Sequence, residues 1–259
     1  MDMTYGDYLQ LHKILDAQQP LSPEEHDETL FIIIHQTYEL WFKQLLHESN
    51  FLRVHLQAGK ESEALDTLHR MLVILKTLVS QADILETMTP ISFYSFRTRL
   101  QQASGFQSLQ FRRLECQLGQ KNPRTLTLFT AHPAFESLSH DYEAPTLYDA
   151  LLQFLSQHMG VAIPVDILQR PYSQPYTGDA RVQDLLLTLY RERSPRVALL
   201  ERYVDLDEGM QEWRYRHVKI VERTIGNVPG TGGSAGLAYL RATLFQPSFV
   251  DLWALRSSL

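Results

Sequence analysis

The sequence predicts an all-α fold, and three observations support this prediction. Apolar residues recur at helical spacings of three and four through most of the 259 residues. Serine, threonine or proline begins several of these segments and glycine ends them, which is typical of helix termini. No convincing run alternates apolar and polar residues as a strand would, and no internal repeat of roughly 20–50 residues is present.

Two long helices are predicted in the first third of the chain. The first begins at the capping signal of residues 22–25 (SPEE) and runs to Gly59 without another proline or glycine. The second is predicted over residues 62–88, where apolar residues step by three and four: Leu65, Leu68, Leu72, Leu75, Val79 and Ala82. This spacing is the seam of an antiparallel bundle, and the short linker makes the two helices antiparallel neighbours.

The later elements are predicted from the same signals. Thr146 caps a helix that ends at Gly160, and Ser194-Pro195 opens a long helix that ends at Gly226. Residues 121–145 are less regular, and residues 161–179, which are rich in proline, form a long connection. Shorter helices are predicted at residues 92–100, 106–119 and 237–244, where the ordered pattern ends.

Composition excludes several classes of protein. The formal net charge of −6 argues against a nucleic-acid surface or a polybasic membrane surface. The longest apolar run, residues 30–34, is far shorter than the roughly 20 residues of a membrane span. The first ten residues lack the pattern of a signal peptide, so the expected compartment is the cytoplasm.

Any metal in this chain must be held by histidine. Cys116 is the only cysteine beside ten histidines, which excludes disulfides and multi-cysteine metal sites. The chain has no His-Glu-x-x-His, no di-iron Glu-x-x-His and no Cys-x-x-Cys-His motif. A cofactor held by one helical histidine and an apolar slot remains possible, and b-type haem is held in this way.

Two histidines lie on helix faces where such a slot could form. Phe31, His35 and Glu39 share one face of the first long helix, and Trp213 and His217 share one face of the last. From spacing alone, each histidine is as readily explained as a hydrogen-bonded core residue. The arginines around His217 are compatible either with a solvated face or with haem propionates.

Two further features can bind a small ligand. Arg97 lies among aromatic residues and is either a carboxylate clamp or a surface arginine packed on Phe96. The glycine-rich loop at residues 230–236 follows a helix rather than a strand, which disfavours a nucleotide site. It can instead be a hinge, a helix cap, or a loop that closes over a small ligand through Thr231.

Several motifs together resemble the tryptophan 2,3-dioxygenase family. They occur in order along almost the whole chain and are weakest between residues 125 and 207 and at the C-terminal tail. The motifs are residues 4–9 (TYGDYL), 17–22 (AQQPLS), 31–43 (FIIIHQTYELWFK), 96–97 (FR), 103–112 (ASGFQSLQFR), 213–217 (WRYRH), 225–226 (IG) and 230–234 (GTGGS).

The resemblance implies a bundle of long antiparallel helices enclosing a haem pocket, with residues 1–259 forming one domain. It implies a homotetramer, a dimer of dimers, that binds one non-covalent haem b per subunit and is active as Fe(II). The reaction implied is insertion of both atoms of O2 across the C2–C3 bond of the L-tryptophan indole. The product, N-formyl-L-kynurenine, begins tryptophan catabolism by the kynurenine route.

The resemblance also assigns residues. His217 matches the axial ligand of the haem iron, and His35 matches the distal histidine that accepts a hydrogen bond from the indole N–H. Arg97 matches the residue that pairs with the substrate carboxylate, and Thr231 matches the one that meets the ammonium. The indole would be surrounded by Phe31, Phe96 and Leu100, and the distal haem face would be lined by Ser104 and Gly105. Tyr5 and Tyr8 match residues that reach, within residues 1–22, into the pocket of a neighbouring subunit.

One departure and two alternatives accompany this interpretation. Phe93 replaces a tyrosine whose hydroxyl assists the carboxylate clamp in some members, so Arg97 is expected to carry more of the binding. A haem enzyme on the same scaffold that oxidises another indole or aromatic amino acid would alter the substrate residues. A non-enzymatic helical haem sensor would lose them. The presence of His35, Arg97 and Thr231 together argues against both.

Overall fold

Three long helices form the frame of the structure, a computed structural model that describes residues 2–228 and 236–259. Apolar spacing of three and four gives each of these helices a continuous buried face. The described residues form α-helices and short 3-10 turns without any strand, which confirms the all-α prediction. The α-helices are α1 (Tyr5–Leu9), α2 (Leu11–Leu15), α3 (His26–Gln57), α4 (Glu61–Leu85), α5 (Pro90–Arg97), α6 (Leu109–Gln117), α7 (Pro123–Phe129), α8 (Phe135–Glu143), α9 (Leu147–Met159), α10 (Val165–Leu168), α11 (Ala180–Arg191), α12 (Val197–Ile225), α13 (Leu237–Ala242) and α14 (Val250–Ala254).

Helix α4 packs against both α3 and α12, as the predicted antiparallel pair requires. Gly209 allows α12 to approach closely, because a Cβ atom there would lie 3.3 Å from the side chains of Leu72 and Leu75. Leu68, Leu75 and Leu78 are almost completely buried between these helices. The frame is therefore held by tight apolar packing, and α5, α6 and α9 pack onto its α3 side.

Helix α3 begins at His26 rather than at the predicted Ser22 signal. The carboxylate of Glu28 accepts hydrogen bonds from the backbone N–H groups of Leu21 and Ser22, at 2.9 and 2.6 Å. These bonds hold Ser22 outside the helix, and Glu25 becomes the N-cap residue. The glutamate in the first turn thus binds the segment before the helix, and the N-cap residue Glu25 makes no side-chain hydrogen bond to the helix.

The region that was predicted to be less regular contains two helices, α7 and α8. The Lys121 ammonium donates hydrogen bonds to the backbone carbonyls of Asp141, Tyr142 and Ala144, at 2.9, 2.7 and 2.7 Å. It therefore satisfies carbonyl groups around the C-terminal end of α8. These contacts join residues about twenty positions apart, and local spacing does not reveal them.

Ordered structure also continues beyond the predicted end near residue 244. Asp251 in α14 is fully buried and accepts hydrogen bonds from Tyr148, Tyr176 and Gln183, at 2.9, 2.7 and 2.9 Å. This carboxylate ties the C-terminal segment to α9, to the long connection and to α11. Neither the single turn α10, which lies within that connection, nor α11, which follows it, was predicted from the sequence.

Within the described residues, no helix combines the length and the apolar character that a membrane span requires.

Candidate functional site

A cavity between α3, α5, α6, α12 and α13 brings most of the predicted site residues together. It encloses about 1670 Å3 of atom-free space, counting the solvent at its open mouth. Its walls are mainly apolar and aromatic, as is usual for ligand sites. The predicted site residues in its lining are Phe31, His35, Arg97, Leu100, Ser104, Gly105 and His217.

His217 lies on α12, and its ring stacks on Trp213 one turn earlier. The two ring centres are 5.3 Å apart and the planes differ by 8°. Burial lowers the pKa of His217 to about 4, and the charges of His35, Arg112 and Arg214 act in the same direction. The imidazole is therefore neutral, and a neutral imidazole is the form that binds a metal ion.

His35 lies on α3 and is fixed by its own helix. Its Nδ1 lies 2.7 Å from the backbone carbonyl oxygen of Phe31. A carbonyl only accepts, so Nδ1 carries the proton of this bond. Burial lowers the pKa of His35, opposed by the bond to Phe31 and the charge of Glu39. The ring is therefore neutral, and its Nε2 is a bare hydrogen-bond acceptor.

Aromatic rings form the wall around His35. The Phe31 ring centre lies 4.1 Å from that of His35 and 5.7 Å from that of Phe93. Phe93 lines the cavity, whereas Phe96 is fully buried behind Phe31 and Phe93. The structure therefore places Phe93 on the cavity surface and Phe96 in the layer behind it.

Arg97 and the short segment after it form another part of the wall. The Arg97 guanidinium lies over the Tyr94 ring, 5.3 Å from its centre. Ser104 begins a 3-10 turn, where its hydroxyl accepts a hydrogen bond from the Phe106 N–H at 3.3 Å. A Cβ atom on Gly105 would meet nothing within 4 Å, so space remains beside this residue.

Three of the predicted residues that the structure describes do not line this cavity: Phe96, Tyr5 and Tyr8. Tyr5 and Tyr8 lie on α1, where 75% and 73% of their surfaces are exposed, and they do not line the cavity of their own chain. Thr231 lies outside the described residues.

The sequence analysis did not assign a role to Arg112, Glu115 or Tyr239, which also line the cavity. Arg112 and Glu115 lie three residues apart on α6, a spacing that usually indicates a surface ion pair. Both are buried instead, because α6 packs against α3 and the ion pair faces α12. No signal in the local sequence distinguishes these two cases.

The residues present fit a haem. Among the described residues, no three histidine, cysteine or carboxylate side chains lie close enough to hold a metal ion among them. A haem needs only one such ligand from the protein, because the porphyrin supplies the other four in-plane donors. Three cavity-lining arginines have a buried Nε–H without a partner in the described part of the chain, and such donors suit the carboxylates of a haem: Arg112, Arg214 and Arg216.

The fold and the site together define a class of protein: an all-helical protein with a largely apolar cavity that suits a haem and contains two neutral histidines, His35 and His217. Comparison with known proteins gives the family. The tryptophan 2,3-dioxygenase family model matches residues 1–161 and 166–259. The chain belongs to this family, whose members are haem-dependent oxidoreductases.

Curated relatives agree over nearly the full length. The tryptophan 2,3-dioxygenase of Anaeromyxobacter dehalogenans is 53% identical over 258 residues, which cover 99% of this chain and 96% of the relative. That of Herpetosiphon aurantiacus is 50% identical, with 99% and 98% covered. That of Bacillus thuringiensis is 42% identical, with 100% and 93% covered. The resemblance seen in the sequence motifs is confirmed.

Proposed function

We propose that this chain is a tryptophan 2,3-dioxygenase that converts L-tryptophan and O2 to N-formyl-L-kynurenine, the first step of tryptophan catabolism by the kynurenine route. Family membership supports the reaction, and one observation on this chain carries the substrate assignment. The unprotonated Nε2 of His35 is a hydrogen-bond acceptor in the aromatic part of the cavity wall. Arg97 lines the same cavity. An indole N–H and an amino-acid carboxylate are the two groups that this pair recognises.

The cofactor would be haem b, one per subunit and without covalent attachment, and His217 would bind its iron, which is Fe(II) in the active form. The haem supplies the binding and activation of O2. The chain itself supplies the neutral imidazole of His217, which burial keeps unprotonated. Ser104 and Gly105 border the distal face, where the open space beside Gly105 leaves room for bound molecules.

Different residues bind different parts of the tryptophan. His35 accepts the indole N–H and orients the ring, while Phe31 and Leu100 offer it apolar surface. Phe96, which was also predicted to contact the indole, supports Phe31 from the layer behind. Arg97 pairs with the carboxylate, and Thr231 meets the ammonium. With Phe93 in place of a tyrosine, no hydroxyl at that position shares the carboxylate with Arg97.

Assembly as a homotetramer, a dimer of dimers, completes the site through residues 1–22 of a neighbouring subunit. Exposed apolar residues on one face of α3 support an interface between copies: Ile33, Leu40, Phe51 and Val54. From Ile33 to Val54 the helix rises by 21 residue steps, or about 32 Å at 1.5 Å per residue. Exposed apolar side chains that recur along one helix face favour a contact with another protein surface. Tyr5 and Tyr8, exposed on α1, are then free to reach the neighbouring cavity.

The assembly is tested by light scattering on a size-exclusion column. Phe51→Glu with Leu40→Glu places two charges in the α3 stripe and is expected to produce dimers or monomers. Leu128→Glu is the matched control, because Leu128 is an equally exposed apolar residue on α7. An unaltered tetramer in the double variant would place the interface elsewhere, and a monomeric parent would refute the assembly.

We also propose that the enzyme acts in the cytoplasm. Its one cysteine, Cys116, is buried and free. A chain without disulfides is suited to a reducing compartment. Fractionation of the source cells, with activity followed in each fraction, tests this assignment.

The reaction itself is tested with haem-loaded protein reduced under anaerobic conditions. L-Tryptophan is added first and isotopically labelled O2 second, and the product is analysed by mass spectrometry. N-formylkynurenine carrying both labelled oxygen atoms is expected. An oxidised indole with an intact ring would support the alternative haem enzyme. Absence of any product would support the alternative of a non-enzymatic haem sensor. The comparison with known proteins favours neither alternative.

A further inference from the structure

Two arginines and one glutamate form a buried charge cluster in the cavity wall. Arg112 Nη1 lies 2.7 Å from Glu115 Oε2, and Arg214 Nη2 lies 2.6 Å from Glu115 Oε1. The three side chains are only 6%, 9% and 5% exposed, in the order Arg112, Glu115, Arg214. The cluster therefore carries a net charge of +1 that water screens poorly.

This cluster is connected to His217 through two aromatic rings, those of Phe111 and Trp213. Arg214 lies one turn before His217 on α12, a spacing that places their Cβ atoms about 5–6 Å apart. The guanidinium carbons of Arg112 and Arg214 lie 4.9 and 5.5 Å from the centre of the Phe111 ring. Phe111 packs on Trp213 with 4.8 Å between ring centres, and Trp213 stacks on His217.

Fold stability does not account for the cluster. Burial removes three charged groups from water, and a buried ion-pair triad is often less stabilising than apolar side chains of the same volume. The remaining arginine close to His217, Arg216, is instead paired with the carboxylates of Asp83 and Glu86, so its charge is compensated. In the described part of the chain, Glu115 is the one carboxylate paired with both Arg112 and Arg214, so the protein itself leaves one buried positive charge there.

We propose that Arg112, Glu115 and Arg214 set the reduction potential of the iron held by His217, and favour Fe(II) over Fe(III). The physical reason is electrostatic, because a fixed positive charge in a poorly screened site stabilises the less positive oxidation state of a nearby ion. These are positioning residues that act through charge and packing. The proposal rests on the proposed function only in taking His217 as the iron ligand.

The test is a redox titration of the haem-loaded protein, followed by its absorption spectrum. Dithionite supplies one electron to each Fe(III) through mediator dyes, and no covalent bond changes. Glu115→Gln removes the only negative charge of the cluster, leaves a net charge of +2 and is expected to raise the potential. Arg214→Gln leaves a net charge of zero and is expected to lower it.

Opposite shifts from two neighbouring substitutions are the signature of a charge effect, because loosened packing would move both variants in one direction. Arg202→Gln is the matched control on α12. Its partner is Asp205, and both side chains are well exposed to solvent, so no shift is expected there. Gln120→Glu gives a further variant that removes no ion pair, since Gln120 contacts Arg214, and it is expected to lower the potential.

Shifts of the same sign in Glu115→Gln and Arg214→Gln, or unchanged potentials in Glu115→Gln and Gln120→Glu, would overturn the proposal. If Glu115→Gln fails to fold, Arg214→Gln and Gln120→Glu decide the question, because both are then expected to lower the potential while Arg202→Gln is unchanged. Failure of the proposed function gives a different result, namely no haem binding or no N-formylkynurenine from the parent protein.

Discussion

The two sides of the cavity are built differently. The His217 side stands on α12, a helix of 29 residues, and its ligand ring is backed by Trp213, Phe111 and the buried charge cluster. The side of Arg97 consists of the eight-residue helix α5, two 3-10 turns and the connections around them. The proposed cofactor side is thus fixed by packing between long helices, whereas the proposed carboxylate-binding side around Arg97 depends on short elements. Substitutions on the two sides should therefore fail in different ways.

The largest effect is expected from His217→Ala. It removes the only neutral imidazole proposed to bind the iron, so stable haem binding should be lost and activity with it. The measurement is the Soret absorbance of protein passed through a desalting column after haem loading. His47→Ala is the matched control, because His47 is an exposed histidine on α3. A normal Soret band in His217→Ala would reject the ligand assignment.

The next effect belongs to the substrate side. Arg97→Leu removes a charge-assisted hydrogen bond to the carboxylate, worth roughly 1.5–3 kcal/mol, so KM should rise about 10- to 150-fold while haem binding stays normal. Steady-state kinetics measure this. Arg99→Leu, at an exposed position outside the cavity, should leave KM unchanged. If indole without a carboxylate were turned over as well as tryptophan, the clamp would be wrong.

His35→Ala tests the residue that faces the substrate from the long helix α3. Loss of one buried acceptor should cost about 1–3 kcal/mol, or roughly 5- to 150-fold in kcat/KM, with haem retained. A tryptophan methylated on the indole nitrogen gives the matched comparison, since it has no N–H to donate. Wild-type enzyme should discriminate strongly against it and the variant much less. Equal discrimination in both proteins would remove His35 from this role.

Sequence patterns predicted the framework well because each long helix carries its own signal. The apolar seam of α4 and the caps at Thr146 and Gly160 are local, and the structure has them where they were expected. The start of α3 was misplaced because the Glu28 carboxylate binds the backbone N–H groups of Leu21 and Ser22 and holds both residues outside the helix. Helix α14 was missed because a long-range contact of Asp251 stabilises it.

The candidate site was predictable where motifs carry it and unpredictable where packing decides. His35, Arg97 and His217 occur in distinctive motifs, and all three line one cavity. The burial of the Arg112–Glu115 pair depends on which face of α6 meets α12, and a spacing of three residues does not encode that. Packing also decides that Phe93 reaches the cavity surface while Phe96 lies in the layer behind it, and the local sequence does not encode this difference.

A smaller effect is expected from pH on the substrate side. Only neutral His35 accepts the indole N–H, and burial lowers the pKa of this residue below its ordinary value of 6.5. Because the neutral form of His35 therefore persists to a lower pH, kcat/KM should stay constant as the pH falls to 6.5 and decline only in more acidic solution. His35→Ala should lack this acid limb. A decline centred above pH 6.5 that disappears in His35→Ala would show a histidine whose pKa is not lowered.

The smallest effect concerns the frame that makes the cofactor side rigid. A side chain at Gly209 would press against Leu72 and Leu75 of α4, since even a Cβ atom lies 3.3 Å from them. Gly209→Leu should therefore reduce the free energy of unfolding by about 1–3 kcal/mol, measured by urea denaturation of the haem-free protein. Gly209→Ala should cost much less, because the gain in helix propensity of up to about 1 kcal/mol opposes the tight contact.

Glu208→Leu, at the exposed neighbouring position, is the control. Equal stability of Gly209→Leu and Glu208→Leu would mean that α4 and α12 are not tightly packed at this point, and the proposed contrast between the two sides of the cavity would lose its structural basis.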